Sequence, residues 1–297
     1  MAAVDRVAFL GLGIMGEPMA ANVARAGFDL VVWNRTRERA EAFAGEHSGD
    51  PGARVRVADS PEDAARGADA IVTMVPDTPE VEEVVFAAAD GLDEGALVID
   101  MSTIAPTASR SIAGRLAERG IGFLDAPVTG SRPKAEDATL TIMVGGAEAD
   151  FERAEPLLEA MGALVLHVGP SGHGEMIKLV NNTLAAVNAA ALAEQLVLAQ
   201  TAGLDTDRLR QVVASGSGAS TMLELKAGPM LDRDLEPLFK LEHMLKDVRH
   251  CIREADALGV DLPVARAVEA LYSEAARQGL AERDFAAVIE VSRRTSS

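Results

Sequence analysis

The sequence has a single cysteine, Cys251, so no disulfide can close within the chain, and its five histidines show neither HExxH nor CxxC companion spacing. These absences predict a reducing compartment and no structural metal. Basic residues are scarce too: 28 Lys and Arg stand against 46 Asp and Glu in 297 residues, a formal charge of −18. A field of that sign repels phosphate backbones and anionic lipids, which argues against nucleic-acid and membrane partners. An anionic small molecule can bind only where local cations or backbone N–H groups prevail. No uninterrupted apolar run reaches the roughly 18 residues of a membrane span, and the first apolar stretch is broken by glycines and followed by Glu17 and Pro18. The expectation is a soluble, cytoplasmic protein. At 48% hydrophobic residues the chain has apolar surface to bury, and its length favours two domains over one.

The first half alternates short β-branched runs with helical stretches. Residues 6–10, 29–33, 54–57, 70–75 and 96–101 read as strands, and 15–26, 36–44, 61–66 and 106–119 as crossover helices. That alternation predicts a doubly wound α/β fold with parallel strands and right-handed connections. Two further strands, 122–126 and 140–144, flank a polar loop at 129–138, and a short one covers 164–167. Beyond Gly169 the pattern changes. Residues 174–202 contain neither proline nor internal glycine after Gly174 and are apolar on most faces, which predicts one long helix as the spine of a second, all-helical domain. Helices at 207–214, 238–258 and 263–277 follow, with Gly259 and Gly279 as stops. The expected domains are 1–168 and 169–297. A spine this apolar needs a partner element or a second copy, so a homo-oligomer is expected.

The first strand runs into Gly11-Leu12-Gly13-Ile14-Met15-Gly16 and then a helix, the context in which G-x-G-x-x-G reads as a dinucleotide fingerprint. Gly11 permits the tight turn, Gly13 lets the backbone approach a pyrophosphate, and Gly16 lets the helix pack on the strand. An ATP-binding P-loop fits less well, because no Lys-Ser or Lys-Thr follows the third glycine. At the end of the second strand an NAD site carries Asp or Glu for the ribose hydroxyls; here the residues are Asn34, Arg35 and Thr36, followed by Arg37. A guanidinium and two small polar side chains suit a 2′-phosphate, which predicts NADP(H) over NAD(H). Arg35 and Arg37 also fit the start of a solvated helix.

At the start of the long helix, Lys178 and Asn182 lie four apart, on one face. The positive end of the helix dipole and partial burial both lower a lysine's pKa there, toward the range of a general acid. Taken alone, the segment equally fits a lysine snorkelling out of an apolar spine.

With these residues in place, the sequence resembles the β-hydroxyacid dehydrogenase family, which includes 3-hydroxyisobutyrate dehydrogenases, tartronate semialdehyde reductases and glyoxylate/succinic semialdehyde reductases. The resemblance rests on residues 9–16, on Asp-Ala-Pro-Val-Thr-Gly at 125–130, on Gly-His-Gly at 172–174 with Lys178, Asn181 and Asn182, and on Lys246-Asp247. It implies a Rossmann domain followed by a helical domain of the 6-phosphogluconate dehydrogenase type. It implies Lys178 as the catalytic lysine, Asn182 beside it on the substrate, and Thr129-Gly130 as the holder of a substrate carboxylate. Lys246 is implied on the cofactor and substrate side, Thr103 near the nicotinamide, and Met74, Val75 and Pro76 at the edge of that pocket. Read without the family, Lys246-Asp247 is an ordinary exposed pair. Two departures stand out: Thr129 replaces a serine, and Ala138 replaces a glycine common in the loop.

The implied reaction is reversible hydride transfer between NADP(H) and a short aldehydo or keto acid, with Lys178 as general acid or base. Asn34-Arg35-Thr36 and residues 131–137 look like the glyoxylate/succinic semialdehyde branch, whereas 140–146 look like the hydroxyisobutyrate and tartronate enzymes. Imine reductases share the two-domain plan but generally lack the lysine and its asparagines, and an NADP-binding sensor without catalysis is the remaining alternative.

Overall fold

A computed structural model describes residues 4–47 and 54–295. The chain divides into two compact units, Met1–Lys178 and Leu179–Ser297. The division falls inside the long helix rather than ahead of it.

The first unit is built on strands β1 (Arg6–Leu10), β2 (Asp29–Trp33), β3 (Arg54–Val57), β4 (Ala70–Thr73), β5 (Leu97–Asp100), β6 (Gly122–Asp125), β7 (Val128–Thr129), β8 (Leu140–Gly146) and β9 (Gly162–Gly169). Helices α1 (Gly16–Arg25), α2 (Arg37–His47), α3 (Pro61–Ala65), α4 (Thr78–Ala89), α5 (Pro106–Ala117), α6 (Ser131–Glu136) and α7 (Glu148–Glu159) connect them. The sheet order is β3-β2-β1-β4-β5-β6-β8-β7, with β9 on β8. Strands β1 to β6 are parallel, as the alternation predicted, while β8 runs antiparallel to β6 and β7. This is a doubly wound Rossmann sheet with an antiparallel extension.

Both faces of the central strands β1, β4 and β5 are buried, which explains their continuous apolar runs. On β1, Val7 and Phe9 join one core with Met19, Val23, Leu30 and Ile99, whereas Ala8 and Leu10 join the other with Ile71, Val85 and Ile112. Helix α4 was not anticipated, although its start is marked: Asp77 accepts the Thr78 N–H at 2.7 Å and Pro79 sits in the first turn. Helix α6 falls in the segment read as a polar loop. Gly130, Ser131 and Ala138 around it all have positive φ, at +139°, +59° and +55°, and for Ser131 and Ala138 that conformation is costly. Replacing Ala138 by glycine removes roughly 1–2 kcal/mol of left-handed strain and returns about 0.5–1 kcal/mol in chain entropy. The expected outcome is a small rise in Tm by calorimetry; a fall would show that the loop does not depend on this conformation.

Helix α8 (His173–Thr201) matches the predicted spine in length, at 29 residues. Among the described residues it is the one helix long and apolar enough to cross a membrane by length and composition alone. Its inward positions Ala186, Ala189, Ala193 and Leu196 are buried in the core of the second unit, so the apolarity on that side is accounted for by packing. Ile177, Val180, Leu184 and Leu198 remain exposed.

The second unit continues with α9 (Thr206–Ser215), α10 (Thr221–Asp232), α11 (Leu241–Ala257), α12 (Pro263–Ala275), a π turn at Ala276–Leu280, a 3-10 turn at Phe285–Val288 and α13 (Ile289–Thr295). Its core holds a buried ion pair, Lys226 Nζ to Asp284 Oδ1 at 2.8 Å. Asp284 also accepts N–H bonds from Leu238, Phe239 and Ala286. The carboxylate is thus hydrogen-bonded through both oxygens and pins the stretch of chain that leads into α11, the helix carrying Lys246 and Asp247.

Candidate active site

The carboxyl ends of parallel strands are where open α/β sheets bind ligands, because loops and helix N-termini converge there. The end of β1 is the glycine turn. Gly11 has φ +109°, and a Cβ on it would stand 2.4 Å from the Met74 carbonyl oxygen; a Cβ on Gly16 would stand 2.0 Å from the carbonyl oxygen of Gly11. No larger residue fits either place. Gly13 is different: a Cβ there would meet nothing within 4 Å, and it lines a cavity of about 330 Å³ with Leu12, Ile14, Pro18, Arg39 and Arg132. The Leu12 N–H donates to Asn34 Oδ1 at 2.9 Å, whereas the amides of Gly13, Ile14 and Met15 make no hydrogen bond with the described residues. Free amides at the positive end of α1, with open space beside Gly13, fit the pyrophosphate of a dinucleotide.

At the end of β2, Asn34 is committed at both ends of its amide, since its Nδ2 donates to the Thr36 carbonyl at 2.9 Å. It braces the glycine turn against the start of α2. Arg37 begins α2 and pairs with Glu41 and Asp59, hydrogen bonds that raise its pKa further. Arg35 and Thr36 are exposed. Met74, Val75 and Pro76 follow β4, and Thr103 follows β5; Ser102 ties these two strand ends together by accepting the Val75 N–H at 3.0 Å. Thr129 and Gly130 follow β6 through the short β7 and are half-buried.

Two buried aspartates stand at strand ends, and no motif in the sequence assigns either of them a role. Asp100 accepts from Thr73 Oγ1 and from the Ser102 N–H, and burial pushes its carboxyl up to about 6, with nearby Asp125 adding to the shift. Asp125 accepts the Gly172 N–H at 2.7 Å and the Glu175 N–H at 3.0 Å, so it caps the first turn of α8 from 47 residues away. Burial raises its pKa as well. The space for that contact is made by glycine: a Cβ on Gly145 or Gly174 would come within 2.7 Å and 2.9 Å of the Asp125 carboxylate. Lys178, one turn beyond Glu175, is buried at 8% exposure.

In the second unit, Asn182 is buried and its Nδ2 donates to Asp247 Oδ2 at 2.7 Å. Asn181 donates to Asn182 Oδ1 at 3.2 Å. The Lys246 ammonium lies 3.3 Å from Asp247 Oδ1. Lys246-Asp247 is therefore no ordinary surface pair: Asp247 is fully buried and fixes the Asn182 amide. Its sequence signal was only its place beside Lys246. Lys178 and Asn182 share one face of α8, as their spacing requires.

A Rossmann unit with a glycine turn suited to a dinucleotide, followed by a helical unit, has the plan of a dinucleotide-binding protein. Residues 6–169 match the NAD-binding domain of 6-phosphogluconate dehydrogenase, and residues 172–292 match the NAD-binding domain of NADP-dependent 3-hydroxyisobutyrate dehydrogenase. The chain is 37% identical to the 2-hydroxy-3-oxopropionate reductase of Escherichia coli, over 96% of each. It is 35% identical to the chloroplastic glyoxylate/succinic semialdehyde reductase 2 of Arabidopsis thaliana, over 96% of this chain and 78% of that one. The 3-hydroxyisobutyrate dehydrogenase of Mycobacterium tuberculosis superposes with a TM-score of 0.87 at 32% identity, over 97% of this chain and 99% of that one. The chain belongs to the β-hydroxyacid dehydrogenase family and is an NAD(P)-dependent hydroxyacid dehydrogenase.

Proposed function

We propose that the enzyme reduces a short aldehydo acid of the glyoxylate or succinic semialdehyde class with NADPH, and that Lys178 is its general acid. The observation that carries this reading is the buried Lys178 amine, one turn beyond the start of α8 that Asp125 caps. Reduced nicotinamide, when bound, supplies the hydride. The chain's own residues do the rest. Thr129 offers a hydroxyl and Gly130 a backbone N–H to the substrate carboxylate. Lys178 gives its proton to the carbonyl oxygen as negative charge develops there, and takes it back in the oxidative direction. Asn182, held by Asp247, orients the same substrate, and Lys246 supplies positive charge that offsets the acidic field of the protein. The amides of Gly13, Ile14 and Met15 receive the pyrophosphate, while Leu12 and Gly11 shape the turn. Met74, Val75, Pro76 and Thr103 border the nicotinamide side.

The preference for NADPH rests on the end of β2, where Asn34 stands in place of a carboxylate and Arg35 is exposed beside Thr36. Arg35→Ala should lower kcat/KM for NADPH by roughly 10- to 100-fold, the worth of a charge-assisted hydrogen bond, and leave that for NADH nearly unchanged. Equal loss with both cofactors would remove Arg35 from phosphate recognition.

Similarity to a 2-hydroxy-3-oxopropionate reductase over nearly the full chain favours a second reading, a tartronate semialdehyde type of enzyme with the same machinery. Initial rates with glyoxylate, succinic semialdehyde, methylmalonate semialdehyde and tartronate semialdehyde separate the two: the highest kcat/KM is expected with one of the first pair. The exposed apolar stripe of α8, with Leu184 at 58% and Leu198 at 62% exposure, supports assembly with a second copy of the chain.

A further inference from the structure

Helix α1 is buried almost all round, through Met19, Ala20, Ala21, Val23 and Ala24. Among these sits one polar side chain, Asn22, at 3% exposure. An asparagine in a helix interior costs helix propensity, and its Oδ1 is buried without a hydrogen-bond partner. Such a residue survives in a core only if its remaining group makes a contact worth more. That group is Nδ2, which donates to the Ala135 carbonyl at 2.6 Å, across 113 residues of sequence.

Ala135 is the fully buried residue of α6, the turn that directly follows Thr129 and Gly130. The turn needs an external hold. Gly130, Ser131 and Ala138 bracket it in left-handed conformations, a shape an isolated loop would relax. Its other internal ties are local: Arg132 to Glu136, the Asp137 N–H to Pro133 and the Thr139 N–H to Lys134. The Asn22 bond joins it instead to the helix whose N-terminus faces the dinucleotide site.

We infer that Asn22 is a positioning residue for the substrate: by holding Ala135 it fixes Thr129 and Gly130 in the conformation that receives a carboxylate. This rests on the reading of Thr129-Gly130 as the carboxylate site. Asn22 touches neither substrate nor cofactor in this role, so its loss acts on substrate affinity rather than on chemistry.

The test compares Asn22→Ala, Asn22→Asp and Thr129→Ala with the unmodified enzyme, using NADPH and succinic semialdehyde. Asn22→Asp keeps the shape but turns the donor into an acceptor facing a carbonyl. In both Asn22 variants KM for the semialdehyde should rise about tenfold, the equivalent of one buried hydrogen bond, with kcat and KM for NADPH nearly constant. Amide exchange in residues 129–139 should quicken while the sheet stays protected. Semialdehyde KM and loop exchange both unchanged in a folded variant, with only Tm lowered, would overturn the proposal. A rise in KM with Asn22→Asp but not with Thr129→Ala would keep Asn22 as the loop's anchor and move the carboxylate contact to another residue of the loop. A rise with Thr129→Ala alone would leave the carboxylate site standing and remove Asn22 from it.

Discussion

Lys178→Ala should lower kcat by roughly 10²- to 10⁴-fold, the usual contribution of a positioned general acid, while the dissociation constant for NADPH stays nearly the same. The split follows from location. The amides proposed to receive the pyrophosphate belong to the turn after β1, and Lys178 lies on α8, buried at 8% exposure. A side chain that only snorkels out of an apolar helix would, on removal, change stability and leave kcat intact. Measuring kcat by NADPH oxidation, and NADPH affinity by the quenching or shift of its fluorescence, separates the two roles.

Asp125→Ala should be the most damaging single change in the first unit outside the glycine turn. It removes the acceptor of two N–H bonds, from Gly172 and Glu175, and leaves both donors buried beside the space that the carboxylate fills against Gly145 and Gly174. Two charge-assisted bonds at roughly 1.5–3 kcal/mol each, less the recovered cost of burying the carboxylate, give a loss of about 3 kcal/mol. For a unit of this size that lowers Tm by roughly 6–12 °C. Activity should fall further than stability predicts, because the freed turn is the one that leads into Lys178. Asp125→Asn retains one acceptor and should lose about half as much stability; an unchanged Tm in Asp125→Ala would show that α8 is held elsewhere.

What the sequence revealed and what it concealed divide by the range of the interaction. The glycine turn was legible because strand, turn and helix N-terminus lie within about twenty consecutive residues, each with a local steric reason for its residue type. The parallel order of β1 to β6 follows from strand-helix alternation, which is again local. The reversal at β8 is not, since it depends on how the chain folds back after α6. Helix α4 was missed despite the Asp77 cap and Pro79, because Val and Phe in its body resemble a strand. The segment of α6 reads as loop because Pro133 and the polar residues around it carry a turn signal, and its contact with Asn22 spans 113 residues.

The same division runs through the candidate site. Lys178 and Asn182 could be placed on one face from spacing alone. The groups that fix them could not: Asp125 reaches Glu175 across 50 residues, and Asp247 reaches Asn182 across 65. At the end of β2 the sequence showed the absence of a carboxylate, but the structure was needed to see Asn34 bracing Leu12 and Arg37 engaged with Glu41 and Asp59, with Arg35 exposed beside them.

The central claim is that the site recognises an aldehyde through its carboxylate and protonates it from Lys178. The most direct measurement compares kcat/KM for succinic semialdehyde with that for butanal, which has the same chain length and aldehyde but no charge, using NADPH as the donor. The account predicts that the acid is preferred by at least about 100-fold, the value of charge-assisted hydrogen bonds lost from a prepared site. Equal turnover of the two aldehydes would contradict it.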